Sequence, residues 1–154
     1  LPLTPAPSSK KYKLVIYQRD LSRKLLKQDN VLQMLHSRLD NSKWEVEVVM
    51  HIPDRSPCTL HPLFAQTTLL LTPHGFQSML LLLMPPSSLL FEVFPFRYYK
   101  PAYSPFGAEM GVHHGGVMSP PTYWLYGLLM QYVTTPWCTQ TKMCRVNARD
   151  QDVM

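Results

Sequence analysis

The chain has no apolar stretch that approaches the roughly 18–20 continuous residues of a membrane helix. Its longest apolar runs, at positions 69–71 and 79–84, are separated by Pro73, His74 and Gly75. It has no internal repeat, which excludes solenoids and propellers. It also lacks a dense block of Lys and Arg. The formal charge of +5 and the pI near 9.2 favour anionic partners, yet the basic residues are scattered, with a mild concentration at 10–27. That scatter excludes nucleic acid as the expected partner. Cysteine is scarce: Cys58, Cys138 and Cys144 show no zinc-ligand spacing. Cys138 and Cys144 are close enough in sequence to close a small disulfide loop that leaves Cys58 over, and three reduced thiols are as good a reading. The neighbours His113 and His114 have no matching Asp, Glu or Cys set, so with Gly115 and Gly116 they read as a polar turn, and no metal site is expected. The sequence starts without Met and without a signal peptide, which leads us to expect an upstream part.

What the chain does have is proline, fifteen in 154 residues, and a hydrophobic share of 45% that suits one domain with a sizeable core. Everything is organised around positions 67–95, TTLLLTPHGFQSMLLLLMPPSSLLFEVFP. Short apolar runs bounded by turn residues parse here as strand, Pro-His-Gly turn, helix, tight turn and strand. The first turn falls at the carboxyl end of a strand, where open α/β sheets bind ligands. Gly75 lets backbone approach an anion, the following helix N-terminus offers unpaired N–H groups, and His74 adds an imidazole donor. Glu92, near the end of the next strand, is placed to accept from ribose hydroxyls.

Residues 1–12 read as a Pro/Ser-rich linker or tail. A buried strand is expected at 13–17 (KLVIY), followed by a polar loop with Arg19 and Arg23. A helix starting at Asp29 or Asn30 should run to about Leu39, with Val31, Leu32, Met34, Leu35 and Leu39 at helical spacing. The alternating, Val-rich 44–50 (WEVEVVM) reads as a second strand and 58–66 as a short helix. Further helices are expected at 102–110 and 123–133, and 136–154 reads as a mobile C-terminal tail. The alternation of strands and helices over 13–135 implies an α/β, Rossmann-like domain: a parallel sheet with helices on both faces. The Arg19–Arg23 loop and the His74-Gly75 turn both approach its strand ends. Guanidinium groups there suit bidentate binding of a phosphate.

At these residues the pattern resembles glycosyltransferase family 61. YQRDLSRKLLKQDNVLQML, within 13–35, is similar to that family's strand, Arg, Ser-Arg, Asn/Asp-Glu, Leu segment. LLLTPHGFQSMLLLLMPPSSLLFEVFP, at 69–95, resembles its apolar strand, His-Gly-Ala-Gly, apolar helix, Met-Pro-Pro and Glu-(Ile/Val)-Phe-Pro signature. The likeness covers roughly 13–114. It implies an inverting glycosyltransferase of the two-domain B architecture, of which this chain is the carboxyl-terminal half that holds a nucleotide-diphosphate sugar. A uridine diphosphate (UDP) sugar is the implied donor, a pentose or N-acetylhexosamine the transferred group, and a glycan or glycoprotein the acceptor. The acceptor would be bound with help from an amino-terminal domain of the same enzyme. No further cofactor is implied. Arg23, Arg19, His74, Gly75 and Glu92 are the donor-binding candidates, and no catalytic base is marked. Family members work in the endoplasmic reticulum or Golgi lumen as single-pass membrane proteins, although this chain carries no anchor. Phe76-Gln77 stands where the family has Ala-Gly. This leaves a second reading, a catalytically silent binding or scaffold domain whose site Phe76 fills.

Overall fold

The structure is a computed structural model and describes residues 11–53 and 55–153, so most of the 1–12 tail lies outside it. Five strands form one all-parallel sheet in the order β2-β1-β3-β4-β5: β1 is Tyr12–Gln18, β2 Trp44–Met50, β3 Leu69–Pro73, β4 Leu89–Phe94 and β5 His113–Met118. The expected α/β class with helices on both faces is therefore present. Strands β1, β3 and β4 lie inside the sheet, and their continuous apolar runs reflect burial on both faces. The edge strand β2 alternates instead, and Lys13 on β1 reaches across to its Glu45 and Glu47 at 3.5 and 2.9 Å.

Two cores flank the sheet. On one face Val15, Tyr17, Leu70 and Leu90 pack with Phe64 of α2 (Pro57–Phe64) and with Leu81. Leu81 belongs to a 3₁₀ helix, Phe76–Leu83, at the place where a helix was expected after the Pro-His-Gly turn. On the other face Leu14, Ile16 and Val93 pack under Leu32 and Leu35 of α1 (Gln28–Arg38) and against Val153. Burying each such side chain contributes roughly 1.5–3 kcal/mol. Among the described residues no helix is long and apolar enough to cross a membrane.

Three expectations need correction. The segment His113 to Gly116 is not a turn but the start of β5, paired with β4 along its whole length. Gly116 lies there because a Cβ would come within 2.6 Å of the Phe94 ring and 2.7 Å of the Glu92 carbonyl. The segment 136–154 is not a mobile tail. It forms most of α5 (Thr135–Gln140) and all of α6 (Lys142–Arg149), joined by a Cys138–Cys144 disulfide, and buries Ala148 and Val153. Cys58 is free and exposed. The helix expected at 123–133 is shorter, α4 Trp124–Met130, and buries none of its residues. Helix α3, Ser104–Met110, falls within the range expected for it.

Candidate anion-binding site

The strand order reverses between β1 and β3, so the connections leaving their carboxyl ends diverge and open a crevice. Gln18, the last residue of β1, builds the loop on one side of it. Its Oε1 accepts the N–H groups of Arg19 at 2.9 Å and Leu25 at 2.8 Å, and its Nε2 donates to the Leu25 carbonyl at 2.7 Å. One buried carboxamide thus closes the loop on itself. Arg23 turns within it at φ 59°, a left-handed conformation uncommon for a side-chain-bearing residue. The far side is clipped by the end of the described chain. Lys24 N–H donates to Asp152 Oδ1 at 3.0 Å, Val153 N–H to the Lys24 carbonyl at 2.9 Å, and Leu26 N–H to the Val153 carbonyl at 2.6 Å.

Across the crevice is Gly75. A Cβ added there would lie 3.0 Å from Arg19 Nη1, 3.2 Å from Arg23 Nη1 and 2.7 Å from Gln77 Oε1. Both guanidiniums therefore cross over this glycine, which leaves room for them. Neither arginine has a carboxylate ion pair among the described residues. Arg19 Nη1 donates a long bond of 3.4 Å to Gln77, and the buried Nε of Arg23 has no partner. Burial and the like charge of Arg23 both lower the Arg19 pKa, but a guanidinium stays charged in water regardless. Asp150, just past α6, and Asp20 lie within electrostatic reach of Arg19, and the Asp150 carboxylate is held by Arg149 at 2.8 and 2.9 Å.

A pocket of about 450 Å³ opens beside the two arginines. Met79, Leu80 and Leu83 of the 3₁₀ helix and Leu60 of α2 make its apolar wall, and Phe76 stands at its rim, 81% exposed. Its polar side continues from Arg19 and Arg23 to Tyr17, His51 and Arg55. Tyr17 and His51 are hydrogen-bonded at 3.2 Å, and burial raises the Tyr17 pKa while the Arg55 charge pulls it back. Sequence reasoning assigned no role to His51 and Arg55. The available signal was their place just past β2, at the ligand-bearing edge of the sheet. Gln18 read as the first residue of the polar loop, and nothing in the sequence marks it as the buried last residue of β1.

Of the five candidates, Arg19, Arg23 and Gly75 come together. His74 and Glu92 do not join them. Glu92 is fully buried, on the face of β4 that carries Leu90 and Phe94. Its Oε1 accepts from His74 Nδ1 at 2.8 Å and Ser78 Oγ at 2.5 Å, and its Oε2 from His114 Nε2 at 2.7 Å. The His74 ring stacks on Phe94, centroids 4.8 Å apart, inside the protein. The imidazole therefore does not face an anion in the crevice, and the carboxylate does not reach a ribose. Their work is positional. Glu92 grips residues on both sides of the Gly75–Gln77 turn and so fixes the backbone between them. Burial opposes its charge, but the bonds from His74, Ser78 and His114 outweigh this and hold its pKa below the usual carboxylate value. Among the described residues no group of three or more His, Cys, Asp or Glu is arranged to hold a metal ion.

No protein-family model matches the chain, and no curated protein matches it significantly.

Proposed function

We propose that the crevice binds the diphosphate of a nucleotide sugar and that the chain is the donor-binding half of an inverting glycosyltransferase. The observation that carries this reading is the pair of guanidiniums without carboxylate partners, crossed over Gly75 at the strand-order switch. The apolar wall and the open face of Phe76 suit the rest of a nucleotide, since aromatic faces stack on bases. In transfer, negative charge gathers on the departing diphosphate. Fixed cations at that point stabilise the transition state more than the bound donor. A pentose or N-acetylhexosamine as the transferred group, and a glycan or glycoprotein as its acceptor, follow from the family resemblance, as does an amino-terminal half that helps bind the acceptor. So does location in the endoplasmic reticulum or Golgi lumen, which the Cys138–Cys144 disulfide suits.

The silent reading required Phe76 to fill the site, and its exposed place at the rim favours the open one. Isothermal titration of the chain with UDP is the test. We expect saturable binding, and Arg23→Ala to weaken it by about tenfold to a hundredfold, the value of a charge-assisted bond. Absence of UDP binding by the unaltered chain refutes the proposal.

A further inference from the structure

We infer that the pocket receives a second anion beyond the diphosphate, a sugar carboxylate of uronic-acid type, and that Arg55 with Tyr17 and His51 binds it. The inference rests on the nucleotide reading above and extends it. The crevice crosses three strand ends. Arg19, Arg23 and Gly75 stand over β1 and β3, whereas His51 directly follows β2 and Arg55 lies in the loop that leads from it to α2. Neighbouring strands are spaced by about 4.8 Å, so the distance from the end of β3 to that of β2 is on the order of 10 Å.

Arg55 lies close enough to Tyr17 for its charge to pull the phenol pKa back. Leu60, Leu80 and Leu83 share the pocket with both groups. Arg55 is half-buried and has no ion pair among the described residues. A cation held in a pocket wall without a counter-charge bears a desolvation cost that a ligand anion offsets. A carboxylate matches the donors present, because the guanidinium fork takes both oxygens and the phenol or imidazole adds a third bond. A neutral sugar leaves Arg55 unmatched. The carboxylate belongs either to the donor sugar or to an acidic acceptor, and the two arms of the test separate these.

The 154-residue chain and Arg55→Gln are titrated with UDP, UDP-glucose and UDP-glucuronate, and then with free glucuronate at saturating UDP. In the unaltered chain we expect a carboxylate-dependent gain of about tenfold, the value of one charge-assisted pair. It would appear as UDP-glucuronate over UDP-glucose if the donor carries the carboxylate, or as glucuronate binding to the UDP complex if the acceptor does. Arg55→Gln should remove that gain and leave UDP affinity unchanged, which also shows the variant is folded. UDP binding without a gain in either arm, or a gain that survives Arg55→Gln, overturns the inference and spares the nucleotide reading. Absence of UDP binding overturns both.

Discussion

Gly75 carries the site because it has no Cβ. The atoms that an added methyl group would strike are the ends of Arg19, Arg23 and Gln77, all of them flexible. Gly75→Ala should therefore change stability by less than about 1 kcal/mol, since flexible tips move cheaply. It should nonetheless weaken UDP binding several-fold by parting the guanidiniums, and thermal unfolding beside titration checks both outcomes. Glu92 is the opposite case. Glu92→Gln turns one acceptor oxygen into a donor that faces donors, and should cost about 2–4 kcal/mol in a denaturant titration. The sign of its pH dependence follows from its lowered pKa. The stabilisation is complete above the ordinary carboxyl value of 4.5 and is lost as pH falls through the lower folded-state value. The Gln variant should lack that component of acid destabilisation. Arg19, Arg23 and Gly75 were legible because polar residues just past buried strands must lie at the strand ends. For His74 the same rule gives the strand end but not the direction of the ring, which the buried Glu92 sets, and nothing in LLFEVF tells which face Glu92 takes or what covers it.

At the scale of the element, the strands with continuous apolar runs were legible, and β5 was not. Its HHGGVM has two glycines and two histidines and is a strand only through its pairing with β4 and the His114–Glu92 bond. The polar α5–α6 segment was illegible for a similar reason, since a disulfide and a few buried residues hold it rather than a broad apolar face. Asp152 and Val153, which follow it, clip the arginine loop. Asp152→Ala should free the Lys24 amide, raise hydrogen exchange at residues 19–25 and weaken UDP binding. Reduction of Cys138–Cys144 should lower stability by about 2 kcal/mol on a loop-closure estimate for so short a ring, and calorimetric melting with and without reductant measures it.

For the whole molecule, the fold was readable as a sum of strand and helix periods, but the position of the pocket depends on strand order, which no local pattern encodes. Order β2-β1-β3-β4-β5 puts the crevice between β1 and β3 and carries Arg55 to the same edge as Arg19 and Arg23. The two guanidiniums over Gly75, on a chain of net charge +5, should make UDP affinity fall as salt rises, and titration across an ionic-strength series gives the slope.

The bond between Lys24 and Asp152 spans 128 positions. A nascent polypeptide can therefore pair its strands, and close the arginine loop on Gln18, well before Asp152 and Val153 emerge to clip Lys24 and Leu26. Fragments that stop short of Asp152 should keep the paired strands and exchange the amides of residues 24 and 26 faster than the longer chain.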